Sequence, residues 1–139
     1  MSSSLSVEDR LAINDLLMEA TWGNDFGNVE VFAGVFTPDA IVQNGFGERF
    51  PARDFIVNTL SHPGRKGRQH YVQTISVAAE GDGAKVRSYW MAWQWLESAN
   101  EKKIHALGYY EDFLVKLDGR WKIRERRMFR CSDQRPLPW

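Results

Sequence analysis

Tyr109-Tyr110-Glu111-Asp112-Phe113-Leu114-Val115-Lys116-Leu117-Asp118-Gly119-Arg120-Trp121-Lys122-Ile123 reads as two strands and the turn that joins them. Asp-Gly between runs of alternating apolar and polar residues is a strong short-range hairpin signal. Tyr109, Phe113, Val115, Trp121, Ile123 and Phe129 are odd-numbered, while Asp112, Lys116, Lys122, Arg124, Arg126 and Arg130 are even-numbered. A two-residue turn would pair odd with even and set Trp121 opposite Lys116. A three-residue loop, with a type I turn and a G1 bulge at Gly119, keeps odd facing odd. The bulged loop is therefore expected, with the odd face toward the core. Glu111, Glu125 and Arg127 share that face, so Glu111 and Arg127 are expected there either as a buried ion pair or as polar groups lining a pocket.

Outward from this hairpin, the period of two extends back to His70. Strands are expected near 70–80, 84–97, 103–117 and 120–130, separated by Gly81-Asp82-Gly83, Ser98-Ala99-Asn100-Glu101 and Asp118-Gly119. Before His70 the period is helical. Ser6 and Asp9 form a capping-box pattern, and Ile13, Leu16, Leu17 and Ala20 make one face of a helix running to about Trp22. Phe32, Val35 and Phe36 predict a second, shorter helix stopped by Thr37-Pro38. Ala40-Ile41-Val42 is a short strand, and Pro51 opens a third helix carrying Phe55, Ile56, Thr59 and Leu60. Helices followed by antiparallel strands predict an α+β domain, with about three N-terminal helices on one face of an antiparallel sheet.

A length of 139 residues fits one domain spanning 1–139. With 43% hydrophobic and 26% charged residues, the chain falls in the globular class and outside the disordered and fibrous ones. Eighteen basic and eighteen acidic side chains cancel, which argues against a duplex-binding footprint. The basic run from Arg120 to Arg135 is explained by a solvated strand face at least as well as by a partner. A single cysteine, Cys131, cannot form an internal disulfide and fits a reducing cytoplasm. No signal peptide or membrane span is visible. Six Trp, four Tyr and eight Phe point instead to a pocket, an oligomer interface, or both. Trp90-Met91-Ala92-Trp93-Gln94-Trp95 carries large aromatics on both faces of one strand, so one face needs cover and a homo-oligomer (dimer or trimer) is expected. Pro136-Leu137-Pro138-Trp139 is an apolar tail with a pocket mouth or a neighbour to cover.

Three motifs occur in order. Phe36-Thr37-Pro38-Asp39-Ala40 resembles a Phe-x-x-Asp-Ala helix end. Ala52-Arg53-Asp54-Phe55-Ile56 resembles a Gly-x-x-x-Ile helix start, with Ala for Gly. Tyr110-Glu111-Asp112 followed by Gly119-Arg120-Trp121-Lys122-Ile123 resembles a Tyr-x-Asp … Gly-x-Trp-x-Ile ending. Together they resemble the SnoaL-like branch of the nuclear transport factor 2 superfamily over residues 5–130. That resemblance implies a cone in which three helices and a strongly curved sheet enclose one pocket. It implies no cofactor.

The resemblance also directs attention to Asp25, just after the first helix, and His70, at the start of the first long strand. These positions resemble the aspartate–histidine pairs of hexachlorocyclohexane dehydrochlorinase, scytalone dehydratase and the bile-acid dehydratases. The implied chemistry is a lyase acting on a hydrophobic small molecule: His70 removes a proton beside a carbon that loses water or halide, and Asp25 orients the ring. A tyrosine five residues before the aspartate is common in the bile-acid dehydratases; Ala20 stands there. The steroid-isomerase branch carries a carboxylate base at the position of Asn44, which cannot take a proton. Trp22, Trp93, Tyr109, Glu111, Arg127 and Phe129 are the expected substrate contacts, with Tyr109, Glu111 or Arg127 assisting the leaving group. His62 and His105 share no ligand spacing with His70, so no metal site is expected. The competing reading is a non-catalytic ligand-binding or structural subunit of the same fold, in which Asp25 is a turn residue and His70 a structural histidine.

Overall fold

The computed structural model describes residues 4–96 and 100–131; the turn at Ser98-Ala99 and the Pro136–Trp139 tail lie outside them. Three helices, α1 (Val7–Asp25), α2 (Val29–Gly34) and α3 (Ala52–Ser61), pack on a six-stranded sheet. The strands are β1 (Phe36–Gln43), β2 (Arg49–Pro51), β3 (Arg68–Glu80), β4 (Gly83–Leu96), β5 (Glu101–Leu117) and β6 (Arg120–Arg130). Their spatial order is β2-β1-β6-β5-β4-β3, an open sheet with β3 at one edge.

α1 starts where its capping box predicts. The Ser6 hydroxyl accepts from the Asp9 N–H at 3.0 Å and the Asp9 carboxylate accepts from the Ser6 N–H at 3.3 Å. Ile13, Leu16, Leu17 and Ala20 are buried as one stripe. A Cβ on Gly23 would sit 2.9 Å from the Phe32 backbone nitrogen, so only glycine lets α1 and α2 cross this closely. The main core joins that stripe to Phe32, Val35 and Val42, and to Val86, Leu114 and Ile123 of the sheet. Each fully buried side chain of this size contributes about 1.5–3 kcal/mol.

α2 ends at Gly34, and Thr37-Pro38 lies inside β1 rather than stopping a helix. Proline is tolerated there because β1 and β6 lose register between Phe36 and Ile41, where no ladder bond is required of it. β1 runs parallel to β6, so the sheet is mixed; the remaining pairings are antiparallel.

The hairpin corrects the expected register. Asp118 and Gly119 both take positive φ (53° and 77°), and Leu117 pairs with Arg120: a two-residue turn of the I′ kind. Lys116 does lie opposite Trp121, with its ammonium 5.3 Å from the indole centroid. The extra residue sits further along. Leu114 pairs with Ile123 but Phe113 with Glu125, leaving Arg124 as a bulge that switches which parity of β6 faces the helices. Trp121 and Ile123 face inward before it, and Arg126 after it. On β5 the even residues Tyr110, Asp112 and Leu114 are buried, so Tyr109, Glu111 and Phe113 face outward.

Candidate active site

A cavity of about 510 Å³ opens between the helices and the inner face of the sheet, well within the range that holds small molecules. Phe32 and Phe55 line its helical side, and Phe50, Trp90, Ala92, Ala106 and Met128 line it from the strands. Trp90 stacks on Tyr110 with centroids 5.8 Å apart, forming a second small core at the cavity floor.

Asp25 and His70 both line this cavity and meet there. Asp25 is the last residue of α1, whose end is fixed by Gly27 at φ 66° and by Arg65, which donates from Nη2 to the Asn24 carbonyl at 2.7 Å. The Arg65 cation thereby occupies the negative end of the helix, which has no basic residue of its own in the last turn. His70 lies on β3, an edge strand with backbone donors not used by the sheet. Its N–H goes to Asp25 Oδ2 at 2.8 Å, and its ring Nδ1 to Asp25 Oδ1 at 2.6 Å. An ionised carboxylate only accepts, so Nδ1 carries the proton and Nε2 is left as the ring's basic nitrogen. Both side chains are mostly buried, at 18% and 14% exposure, which keeps bulk water from competing for the contact.

A buried ion pair also reaches the cavity, through Arg126. Arg126 donates from Nε and Nη2 to the two Asp112 oxygens at 2.8 and 2.9 Å, with both residues almost wholly buried. Burial works against the Arg126 cation, but the adjacent Asp112 carboxylate outweighs it and holds the guanidinium's pKa above its ordinary value. The guanidinium lies 4.1 Å over the Tyr110 ring. Burial pushes the Tyr110 phenol up to about 12, so its hydroxyl stays a proton-bearing donor.

The expected substrate contacts are placed elsewhere. Trp22, Trp93, Tyr109, Glu111, Arg127 and Phe129 are all absent from the cavity lining. For the four hairpin residues the cause is the tight turn and the bulge at Arg124, which send them to the outer face. Tyr109 and Phe129 stack there at 4.4 Å, and Glu111 pairs with Lys85, Arg87 and Arg127 in a partly exposed cluster. The Glu111–Arg127 contact is thus neither a buried ion pair nor a pocket wall. Trp93 shares the outer face through its pairing with Ile104, and Trp22 is 41% exposed on α1. Arg126, read as part of a solvated strand face, is instead the buried cation of the site.

Sequence reasoning missed Tyr110, Asp112 and Arg126 because nothing in the local sequence marks a bulge at Arg124. It also passed over the cations of the cavity: Arg65, Arg68 and Arg130 line it, together with His62 and His105. His62 Nδ1 accepts from the Gly64 N–H at 2.9 Å, a turn-forming contact. Asn44 lines the cavity, but its Oδ1 accepts from the Phe46 and Glu48 N–H groups and its Nδ2 donates to Glu48, which commits it to a turn. Among the described residues no group of three or more His, Cys, Asp or Glu is placed to hold a metal ion. No described helix is long and apolar enough to cross a membrane.

A family profile described as a SnoaL-like domain matches residues 5–127. The chain belongs to the SnoaL-like domain family. No curated protein matches it. Among solved structures, this SnoaL-like chain is similar to a Novosphingobium aromaticivorans protein named for scytalone dehydratase, at 24% identity and TM-score 0.76, covering 91% of this chain and 86% of that one. It is similar to a hexachlorocyclohexane dehydrochlorinase of type 3 from Novosphingobium barchaimii, at 15% identity and TM-score 0.76, covering 91% and 88%. A third, described as nuclear transport factor 2-like with a cystatin-like fold, from Novosphingobium aromaticivorans, has 17% identity and TM-score 0.81, covering 91% and 84%. At these identities the likeness establishes the α+β cone shared by the family, while chemistry has to be argued from the site.

Proposed function

We propose that the chain is a cofactor-free lyase acting on a hydrophobic small molecule, with His70 as the base and Asp25 as its partner. The observation that carries this reading is the doubly held imidazole: Asp25 fixes both the ring and the backbone of His70 at the wall of an aromatic-lined cavity. In the elimination, His70 Nε2 takes a proton from carbon, the C–H electron pair becomes the new double bond, and the neighbouring carbon releases halide or hydroxyl. The Asp25 carboxylate stabilises the imidazolium that forms. A departing hydroxyl needs a proton or a hydrogen bond, and the cavity offers Tyr110 and Arg126 for that purpose in place of Tyr109, Glu111 and Arg127. Names of dehydratases and dehydrochlorinases among the similar structures support the same reaction class.

The isomerase reading loses support because Asn44 cannot take up a proton and its side chain is committed to a turn. A structural subunit would fill its cone, and an open cavity does not favour it. A second copy of the chain covers the outer face of the sheet, where exposed Tyr71, Tyr89 and Leu107 lie beside Met91 and the stacked Tyr109–Phe129 pair. The test of function is turnover of a panel of halogenated and hydroxylated hydrophobic compounds by the wild-type protein. Product carrying a new double bond supports the lyase reading; ligand binding with no turnover across the panel moves the chain to the ligand-binding class.

A further inference from the structure

The cavity carries more positive charge than its own carboxylates neutralise. Of its lining cations, Arg126 is matched by Asp112. Among the described residues, Arg65, Arg68 and Arg130 make no ion pair with a carboxylate. Arg65 has a structural duty at the end of α1. Arg68 and Arg130 meet only uncharged partners among the described residues. Arg68 Nε donates to the neutral amide oxygen of Gln94 at 3.1 Å, and Arg130 lies 5.8 Å from the Phe46 ring centroid. The chain as a whole has no net charge, so this local excess is a feature of the cavity and not of the composition.

The two arginines also crowd each other. Burial and then the Arg130 charge lower the Arg68 guanidinium, and burial followed by Arg68 and Arg130 lowers the His105 imidazole beside them. Such mutual repulsion is a cost that an anion placed between the two guanidinium groups would offset. Arg68 is held in place all the same: Gln94 is nearly buried, at 7% exposure, and donates its own amide to the Lys66 carbonyl at 2.7 Å, so its oxygen is turned toward Arg68. His105 reaches the cavity because β5 bulges there, Ala92 pairing with Ala106 but Trp93 with Ile104. The guanidinium fork matches carboxylates and phosphates through paired N–H donors.

We infer that Arg68 and Arg130 form an oxyanion-binding subsite of the cavity, so that its ligand is a hydrophobic molecule bearing a compact anionic group, a carboxylate in the simplest case. The aromatic wall takes the body of the molecule and the two guanidinium groups take its charge, which fixes how the molecule lies in the cavity. The inference deepens the lyase reading by naming the substrate class and rests on the cavity being the substrate site, but not on His70 being a base.

Calorimetric titration at low ionic strength tests it with three probes of one shape: 2-naphthoate, 2-naphthyl phosphate and the neutral 2-naphthamide. Wild-type protein should bind at least one anion about tenfold or more tighter than the amide, as expected of charge-assisted hydrogen bonds, and whichever anion leads names the oxyanion. The preference should shrink to within about threefold in Arg68→Gln and in Arg130→Gln, each checked for fold by circular dichroism. Arg130 is exposed, so its variant keeps the test alive if Arg68→Gln fails to fold. His70→Ala should retain the preference whether or not turnover is found, which separates this result from the chemistry. Equal binding of anions and amide by the wild type, or a preference that survives in the folded variants, would overturn the subsite.

Discussion

Asp25 holds His70 at two points, Oδ1 on the ring Nδ1 at 2.6 Å and Oδ2 on the backbone N–H at 2.8 Å. One carboxylate thus sets the tautomer of the ring and the position of the strand that carries it. Free rotation of the imidazole is lost twice over, and Nε2 is the ring nitrogen left outside the Asp25 contact. The contact also links the end of α1 to the exposed edge of the sheet, so the first helix and the first long strand define the site together.

From this follows a prediction about mutants. In the proposed mechanism His70→Ala removes the base, and Asp25→Asn leaves a ring without a fixed tautomer or a stabilising charge. In the serine-protease triad, a comparable carboxylate–histidine unit, the Asp→Asn change costs about four orders of magnitude in turnover. A loss of several orders is expected for Asp25→Asn here, with the double variant little worse than His70→Ala alone because the pair acts as a unit. Turnover of whatever substrate the panel yields, measured for the three variants, checks it; full activity in folded His70→Ala would remove His70 from the mechanism.

The Arg126–Asp112 pair is predicted to matter for stability first. Asp112→Ala leaves a guanidinium buried without its partner, which costs about 3–5 kcal/mol. For a domain of this length that is a fall in melting temperature of roughly 10 °C or more. Replacing both members with apolar residues of similar volume, as in Asp112→Leu with Arg126→Met, should be better tolerated than either single change. Thermal melts of the set decide it, and a single variant as stable as wild type would show that the pair is not desolvated.

Asp9 gives an acid-side prediction. The Lys116 ammonium, then the Trp121 indole N–H, hold its carboxyl well below its ordinary 3.8. A carboxyl with a depressed folded pKa binds fewer protons when folded than when unfolded, so its contribution is present above about pH 4 and is lost as pH falls toward the folded value. Urea midpoints of wild type and Asp9→Asn should therefore differ at pH 6 and converge as the solution is made more acidic. A gap that stays constant with pH would show that the Asp9 charge is not the source of the difference.

The helical stripe, the capping box and the four long strands were legible in the chain because each depends on local pattern, whereas Asp25 and His70 stood out only through the family resemblance. The register of the last hairpin was not legible. Asp118-Gly119 specified a tight turn, yet the parity of Trp121 and Ile123 relative to Tyr109 and Phe129 required an extra residue somewhere. The sequence offers Gly119 as its natural place, whereas the structure puts it at Arg124. That shift of a few positions inverts the faces of Tyr109 and Tyr110, and with them the difference between an outer-face contact and a cavity wall. The cations of the cavity were hidden for a related reason: Arg68, His105, Arg126 and Arg130 come from three strands and share no sequence spacing.

His105 is predicted to titrate below its ordinary 6.5. Burial is the largest cause, followed by Arg68, Arg130, Lys103 and His70, all of which face it as cations or potential cations. Between its folded and unfolded pKa values the folded state binds fewer protons, so stability should fall as pH drops below about 6.5, and the penalty is complete below the folded pKa. The ring proton resonance of His105 should show a midpoint under 6.5 that moves up in Arg130→Gln and on adding an anionic ligand. A midpoint unmoved by both would separate His105 from the arginine pair.

The outer face of the sheet supports the last prediction. Register places Tyr71, Met91 and Leu107 in one row across β3, β4 and β5, with Tyr89, Tyr109 and Phe129 in the next. Tyr71 is 52% and Leu107 42% exposed in the single chain. Alongside them, the charged row of Arg87, Glu111 and Arg127 borders the apolar rows as a polar rim borders an interface core. Two copies related by a two-fold axis would lay apolar rows on apolar rows and bury this surface without asking for a different partner. Light scattering at micromolar concentration should then give a mass that is a multiple of 16.1 kDa, and Leu107→Glu, which places a charge at the centre of the patch, should return the monomer. Because Leu107 lies outside the cavity lining, the variant should keep its ligand affinity unless the neighbouring copy supports the cavity wall. A wild-type mass near 16.1 kDa would leave the outer face without its expected cover.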